Sequence, residues 1–226
     1  MDILDILFPK KCMECGVSGK YLCVSCVKKV GLSKPKCLYC RKASIDGNTH
    51  VKCIRKFGMD GLYCVFEYKG IVRKAILGLK YKYATEVVKE LSNYLIYIIR
   101  KRDLRYPKKA VLTPIPLHIL RENWRGFNQS ELMGKYLSEV LGWDYSDDLI
   151  VRSKLKSPQT LLNINQRKEN IKGVFKVNPN NMKKIQRYRC VVLFDDVYTT
   201  GSTMKEAASI LKKVGVEKVY GLAIAG

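Results

Sequence analysis

Residues 191–203 read VVLFDDVYTTGST: four apolar residues, two adjacent acids, and a hydroxyl-rich loop around Gly201. A continuous apolar run of this kind is typical of a strand that is buried on both faces of a parallel sheet. Helical periodicity follows from about residue 202 to residue 214. Because ligands bind at the carboxyl ends of the strands in open α/β sheets, this stretch predicts a binding site as well as a strand.

The side chains that follow the strand suit a phosphorylated sugar. Backbone N–H groups at a helix N-terminus bind phosphate, and the predicted phosphate-binding residues are Thr199, Thr200, Gly201, Ser202 and Thr203. Asp195 and Asp196 suit the vicinal hydroxyls of a sugar, or a magnesium ion held through water. A helix N-cap alone would explain the hydroxyl residues but not the acid pair. A Walker loop is excluded because no Gly-Lys-Ser/Thr follows.

Strand-like runs alternate with helical periodicity on the amino-terminal side of this stretch and after it. We expect strands at 62–68, 110–114, 174–177, 191–194 and 219–223, and helices at 71–79, 84–101, 129–141 and 202–214. This alternation predicts the α/β class, with a mostly parallel sheet flanked by helices. We expect residues 61–226 to form this domain and residues 1–60 to form a cysteine-rich module. That module would begin with a short helix at residues 2–8, whose apolar side docks on the rest of the protein.

The cysteines are concentrated in the first sixty residues. Of the nine, all but Cys64 and Cys190 lie there, in C-x2-C knuckles of which the last begins with histidine. The predicted metal ligands are Cys12, Cys15, Cys23, Cys26, Cys37, Cys40, His50 and Cys53. Eight such ligands suffice for two tetrahedral zinc ions in a zinc-ribbon-like module. Cys64 and Cys190 lie in apolar runs and are expected to be buried thiols.

Knuckle spacing leaves the pairing of the ligands open. The knuckles can pair in sequence, or cross-braced as first with third and second with fourth, and a single occupied site beside a degenerate one is a third arrangement. Ions held entirely by protein ligands are structural rather than catalytic. An odd, front-loaded set of cysteines without a secretion signal argues against disulfides.

The chain is strongly basic. Its 226 residues include 42 Lys and Arg against 20 Asp and Glu, which gives a formal charge of +22. Such a surface attracts phosphate polyanions, although a basic surface without nucleic-acid function fits the charge equally well. The longest apolar run, residues 94–99, is far too short to cross a bilayer. Asp2 and Asp5 also stand where a signal peptide needs basic residues, so we expect a cytoplasmic protein without membrane insertion.

Residues 191–203 resemble the signature with which type I phosphoribosyltransferases bind phosphoribosyl pyrophosphate (PRPP). Other segments narrow the resemblance: LKY at 79–81, PIPL at 114–117, GFNQ at 126–129 and GVF at 173–175. Together with the cysteine module, they resemble the ComF family of competence proteins, which join a zinc module to a phosphoribosyltransferase domain. The resemblance covers essentially the whole chain. One position departs from it, since His50 stands where the family leads us to expect cysteine.

The resemblance implies roles for single residues. Asp195 and Asp196 would be the catalytic pair, holding the ribose hydroxyls and magnesium-linked waters, and residues 199–203 would hold the 5′-phosphate. The remaining PRPP-binding residues would be Arg121, Arg125 and Lys80, and the segment from Gln159 to Arg167 would be a mobile flap. Without the resemblance, the spacing of Arg121 and Arg125 fits a solvated helix face equally well. The reaction implied is displacement of pyrophosphate at the ribose C1.

The resemblance also implies a function in natural competence and transformation. The protein would bind PRPP with magnesium and single-stranded DNA, with other competence or DNA-uptake proteins as further partners. It leaves open whether phosphoribose is transferred. Two alternatives stand beside this hypothesis: a salvage phosphoribosyltransferase for a free base, and a non-catalytic nucleic-acid-binding module regulated by PRPP.

Enzymes that act on a free base commonly build a hood over it, and this chain offers no such segment after residue 214 apart from Tyr220. Either the zinc module covers the site, or the acceptor is larger than a base.

Overall fold

The computed structural model describes residues 9–79, 84–104, 110–117, 127–152 and 173–226. The helix expected at residues 2–8 lies outside these ranges. A five-stranded sheet with the order β1-β7-β6-β2-β3 forms the centre of the molecule. Its strands are β1 (Gly61–Phe66), β2 (Ala110–Pro114), β3 (Asp144–Tyr145), β6 (Cys190–Val197) and β7 (Lys218–Ala225). Every neighbouring pair in it is parallel.

Two further strands pair outside the main sheet. β4 (Ile150–Arg152) and β5 (Phe175–Val177) form an antiparallel pair. The α/β class with a mostly parallel sheet, predicted from the alternation of elements, is therefore confirmed. The strands at 144–145 and 150–152 were not predicted, because two or three residues are too few to show an alternating pattern.

Helices cover both faces of the sheet. They are α1 (Val24–Lys29), α2 (Gly70–Gly78), α3 (Ala84–Lys101), α4 (Gln129–Leu141), α5 (Met182–Ile185) and α6 (Ser202–Lys213). The four long helices match the predicted ones to within a residue at either end. The short α1 and α5 were missed, since helical periodicity needs a longer segment. None of the described helices combines the length and the apolar composition needed for a bilayer crossing.

Side chains of β6 belong to the hydrophobic cores on both faces of the sheet. Its residues Val192 and Phe194 pack with α2, α3 and α4 on one face of the sheet. The alternate residues Val191 and Leu193 pack with α6 on the other face. Because successive side chains of a strand point to opposite faces, an uninterrupted apolar run is what a strand between two helical layers requires.

The cysteine-rich module lies along the outer edge of β1. Ser33 N donates to Val65 O and Glu67 N donates to Gly31 O, each at 3.0 Å, and Thr49 N donates to Asp60 O at 2.8 Å. These contacts occupy backbone groups that an edge strand would otherwise expose to other chains.

The two halves of the module pack on opposite sides of the sheet. The first half, with Leu22 and Val27, joins the core beneath α2 and α3, and the second half, with Leu38 and Met59, joins the core beneath α6. The module therefore straddles the edge of the sheet.

Candidate functional site

The acid pair lies near the carboxyl end of β6, beside the end of β2. After β2 the chain passes through α4 on one face of the sheet to β3, and after β6 it passes through α6 on the other face to β7. The chain thus runs in opposite directions from two neighbouring strands. Such a switch point opens a crevice at the strand ends, and ligands of open α/β sheets bind there. Asp195 and Asp196 stand at this crevice.

Asp195 is held by groups from two elements. Its Oδ1 accepts a hydrogen bond from Asp196 N at 2.9 Å and lies 3.5 Å from the Ser130 hydroxyl. Ser130 stands in the first turn of α4, which Asn128 caps by accepting from Ser130 N at 3.0 Å. The amide of Asn128 also donates to Ile115 O at 3.4 Å, just beyond β2. Asn128 therefore sets the start of α4, with Ser130, against the acid pair.

Asp195 keeps part of its surface accessible to solvent, but its environment disfavours charge. Burial, and after it the neighbouring charge of Asp196, raises the pKa of Asp195 well above its usual value. The hydrogen bonds from Asp196 N and from the Ser130 hydroxyl act in the opposite direction and do not cancel this effect. A ligand that brings hydroxyl donors or a cation to this position would remove that penalty.

The loop after β6 encloses a small pocket. Thr200 Oγ1 lies 2.9 Å from Ser202 Oγ, and Gly201 adopts a φ of 69° at the start of α6. A Cβ at residue 201 would lie 2.3 Å from the ring of Tyr198, so this turn requires glycine. The pocket has a volume of about 30 Å³, and its lining includes Asp195, Thr199, Thr200, Gly201, Ser202 and Thr203. The structure therefore brings the predicted acid and the predicted phosphate-binding residues around one pocket.

A second, larger cavity lies between this loop and the cysteine-rich module. Its volume is about 680 Å³. The module contributes Lys34, Lys36, Tyr39 and Arg41, and the other wall includes Tyr198, Thr199, Thr200 and Lys205. Lys205 Nζ lies 5.6 Å from the centroid of the Tyr39 ring, and Arg55 Cζ lies 4.4 Å from it. The cavity combines cations and aromatic rings next to the phosphate loop.

The residues that the cysteine-rich module contributes to this cavity were not predicted. The sequence KPKCLYCR at 34–41 carries a signal, because a tyrosine and three cations surround one knuckle. The remaining predicted PRPP-binding residues Lys80, Arg121 and Arg125 and the predicted flap from Gln159 to Arg167 lie outside the described residues.

The knuckles assemble into two clusters, and they pair in sequence. One cluster contains Cys12, Cys15, Cys23 and Cys26, and the other contains Cys37, Cys40, His50 and Cys53. Within each, the potential ligand atoms all lie within 4.8 Å of one another. Cys15 Sγ and Cys23 Sγ are 3.7 Å apart, close to the edge of about 3.8 Å that zinc–sulfur bonds of 2.3 Å give in a tetrahedron. Both clusters fit zinc, and the cross-braced pairing is wrong.

His50 has the orientation of a zinc ligand. Its Nδ1 lies 3.2 Å from Cys40 Sγ, and its Nε2 lies 3.0 Å from Ala43 O. A proton on Nε2 donates to that carbonyl and leaves the lone pair of Nδ1 directed into the cluster. Hydrogen bonding of the second ring nitrogen to a carbonyl is the usual way in which proteins fix a metal-binding histidine. Histidine thus satisfies the geometry at a position where cysteine was expected.

The knuckle backbone stabilises thiolates, which are the form that binds zinc. Although burial acts to raise it, backbone hydrogen bonds from Cys15, Cys23 and Glu14 lower the pKa of Cys12 to about 6. Against the same effect of burial, backbone hydrogen bonds from Cys40 and His50 lower the pKa of Cys37 to about 6. In each cluster the knuckle backbone thus favours the thiolate at one cysteine, whereas burial, followed by the neighbouring thiols, raises the pKa of Cys26 to about 12 and that of Cys53 to about 11.

The two remaining cysteines have the opposite character. Burial raises the pKa of Cys64 to about 12 and that of Cys190 to about 12. Within the described residues, neither belongs to a group of metal-binding side chains. Both are protonated thiols at neutral pH. Cys190 is buried, as predicted, whereas Cys64 keeps part of its surface exposed.

Comparison with known proteins agrees with this geometry. The family model described as a phosphoribosyl transferase domain matches residues 73–224. Competence protein F of Haemophilus influenzae is 30% identical over 96% of this chain and 97% of its own length. DNA utilization protein YhgH of Escherichia coli is 28% identical over 88% of this chain and 87% of its own. Competence protein ComFC of Bacillus subtilis is 28% identical over 67% of this chain and 58% of its own.

The comparisons cover both parts of the chain. The family model spans the sheet and its binding loop, and the similarity to Competence protein F extends through the cysteine-rich module as well. The same two parts, in the same order, carried the resemblance in the sequence. The chain therefore belongs to the ComF family and contains a phosphoribosyltransferase domain.

Proposed function

We propose that this protein binds PRPP with magnesium at the carboxyl end of β6 and handles single-stranded DNA in natural transformation. The observation that carries the proposal is the small pocket at the switch point, which is lined both by Asp195 and by the loop at residues 199–203. An acid beside an anion-binding loop matches a molecule that has both ribose hydroxyls and a phosphate. The competence and DNA utilization names of the relatives supply the biological setting.

In this proposal, each group of the site has a defined task. Asp195 and Asp196 hold the ribose hydroxyls and the waters of a magnesium ion, which supplies charge neutralisation for the diphosphate. The backbone and hydroxyl groups of residues 199–203 hold the 5′-phosphate. The diphosphate is bound by Arg121, Arg125 and Lys80, and the segment from Gln159 to Arg167 closes over it. Enzymes of this kind act mainly by positioning and by stabilising the charge of the leaving diphosphate.

The acceptor side of the site is supplied by the cysteine-rich module. The cavity of about 680 Å³ lies next to the phosphate loop, and Tyr39 and Arg41, in and beside a knuckle of the second cysteine cluster, line it. Tyrosine rings and cations next to a groove suit single-stranded nucleic acid, which is bound through base stacking and phosphate contacts. This favours an acceptor or ligand larger than a free base.

The other parts of the proposal concern the whole chain. We assign structural zinc to both clusters, with residues 1–60 as the zinc module and 61–226 as the phosphoribosyltransferase domain. Contacts with other competence proteins and a cytoplasmic location stay predictions.

The proposal is tested by pyrophosphate release from magnesium-PRPP, measured with single-stranded DNA and, separately, with a panel of free bases. Release that depends on DNA would show phosphoribosyl transfer to it, and release that depends on one base would show a salvage enzyme instead. PRPP binding without release would favour PRPP as a regulatory ligand. The double variant Asp195→Asn/Asp196→Asn is the control, and unchanged PRPP binding by it would contradict the proposed site.

Binding of single-stranded DNA is expected to weaken steeply with salt. Each phosphate contact that is lost should reduce the slope of log affinity against log salt by about 0.7. The variant Lys36→Ala/Arg41→Ala removes two exposed cations of the module's cavity wall, so we expect a weaker complex with a shallower slope. The measurement is fluorescence anisotropy of a labelled oligonucleotide between 50 and about 200 mM salt.

A matched variant separates this effect from overall charge. Lys183→Ala/Arg187→Ala also removes two exposed cations, and these precede the start of β6 at the opposite end of the strand from Asp195. Equal losses of affinity in the two double variants would show that DNA binding does not use the cavity.

A further inference from the structure

An apolar groove separates α1 from the second half of α3. Its volume is about 620 Å³, and its lining includes Leu22, Val27, Val30, Phe66, Tyr94 and Ile98. It shares no residue with the cavity beside the phosphate loop. At its margin, Val24 is 47% exposed and Tyr97 is 59% exposed. An exposed apolar groove of this size is typical of a site that binds a partner.

The margin of the groove is positively charged. Lys20, Lys28 and Lys101 line it, and the acid among its lining residues is Glu90. The Glu90 carboxylate already accepts hydrogen bonds from Leu22 N at 2.8 Å and Tyr21 N at 3.3 Å. The groove therefore fits a segment that has apolar side chains on one side and acids at its border.

The described part of the chain begins beside this groove. Gly19 N, next to the lining residue Lys20, donates to Lys10 O at 2.8 Å. The Lys10 ammonium lies 2.9 Å from Glu86, one helical turn before Glu90 on α3. The first described residues, from Pro9 on, therefore lie near one end of the groove.

The sequence of those residues matches the groove. MDILDILF contains five apolar residues after the initial methionine and two acids, Asp2 and Asp5, and it contains no lysine or arginine. Eight residues span about 12 Å as a helix and more when extended, and the wall from Glu90 to Lys101 is about 17 Å long. As a helix the segment would cover about two thirds of that wall, and in an extended form it would reach Lys101.

We propose that residues 2–8 of this chain bind in the groove between α1 and α3. The apolar side chains of the segment pack against Leu22, Val27 and Ile98, and Asp2 and Asp5 lie near the lysines of the margin. The segment then joins the first half of the zinc module to α3. This inference is independent of the proposed nucleotide chemistry, because the groove and the Asp195 pocket have no lining residue in common.

The test uses the fluorescent anion anilinonaphthalene sulfonate, which binds exposed apolar surface and suits a basic margin. In the full-length protein the groove is expected to be filled, whereas Leu4→Asp/Leu7→Asp should empty it and raise the probe's fluorescence by about threefold or more. A synthetic peptide of residues 1–8 should return the fluorescence of this variant to the wild-type level. Ile45→Asp/Val51→Asp adds the same charge at residues that are 82% and 85% exposed and should change nothing.

A charge exchange tests the proposal a second time, in case the variant Leu4→Asp/Leu7→Asp fails to fold. Lys28→Glu/Lys101→Glu should raise the probe's fluorescence, and adding Asp2→Lys/Asp5→Lys to it should lower the fluorescence again. Strong probe binding by the wild-type protein, or no rescue by peptide or charge exchange, would overturn the proposal. A wild-type signal that falls with protein concentration would also overturn it, since the occupant would then be a second copy of the chain.

Discussion

Asparagine at both Asp195 and Asp196 is expected to abolish PRPP binding without unfolding the protein. Hydrogen bonds to a charged group contribute about 1.5–3 kcal/mol each, so losing the pair should lower affinity by about a hundredfold or more. The amide keeps the size of the carboxyl group, and its oxygen could still accept from the backbone N–H of residue 196 as the Asp195 carboxylate does. Isothermal titration calorimetry with magnesium-PRPP measures the loss. Retained affinity would contradict the assignment of the ribose to this pair.

The single variant Asp195→Asn is expected to make the ligand-free protein more stable at neutral pH. Burial raises the pKa of Asp195 above its usual value of 3.8 in the folded state, whereas the unfolded chain keeps the usual value. Above pH 3.8 the native state therefore binds more protons than the unfolded state, and this carboxyl group lowers stability as the pH rises towards its folded pKa. Asparagine removes that dependence.

Thermal unfolding of wild type and variant between about pH 4 and pH 8 measures this difference. The gain from Asp195→Asn should grow with pH across that window. Asp144→Asn, which makes the same change at an exposed residue of β3, is the matched control for the substitution itself. A variant that is less stable than wild type throughout would mean that the carboxylate is favourably solvated in the native state.

Loss of one zinc ligand is expected to reduce both the zinc content and the thermal stability of the protein strongly. Wild-type protein should contain about two zinc ions per chain, and Cys12→Ser or Cys37→Ser should each reduce this to about one. Because zinc-binding energy is folding energy in such modules, we expect a loss of several kcal/mol. At about 2–4 °C for each kcal/mol in a chain of this size, the unfolding temperature should fall by roughly 10 °C or more.

Elemental analysis and thermal unfolding measure these two quantities together. Cys64→Ala is the control, since Cys64 lies outside both clusters, and it should retain both ions. A protein purified with a chelator-free procedure and containing no zinc would contradict the assignment. The two clusters should also differ in function, because the second cluster includes the knuckle of Tyr39 and Arg41. We expect Cys40→Ser to weaken DNA binding much more than Cys15→Ser.

The parts of the fold that were predicted are those with a long, regular pattern. The helices at 84–101 and 129–141 and the strand at 110–114 lie where their apolar periodicity placed them. The strand of the acid pair is longer than predicted, Cys190–Val197, so that Asp195 and Asp196 belong to the strand itself. The order of apolar and acidic residues was sufficient to locate the site near the end of the strand. It was not sufficient to show that β6 stays paired with β7 as far as Val197.

Other features depend on contacts between distant residues, which a local pattern does not contain. The spacing of the knuckles is compatible with both sequential and cross-braced pairing. The pairing is sequential in the structure, where the two halves of the module lie on opposite sides of the sheet at the edge of β1. Tyr39 and Arg41 reach the phosphate loop because the second half of the module packs beside α6, about 160 residues later in the chain. The contact of Ser130 with Asp195 likewise follows from the position of α4 over the sheet.

The place of β7 between β1 and β6 has a consequence for synthesis on the ribosome. β1 contains residues 61–66, but the strand with which it pairs in the sheet contains residues 218–225. The cysteine-rich module, with the zinc assigned to it, can fold early and cover part of β1, but the edge of β1 that pairs with β7 stays open until β7 has left the exit tunnel. Pairings of such long sequence separation form slowly, and exposed strands are prone to aggregate meanwhile. Nascent chains that stall before residue 218 should therefore depend on chaperones.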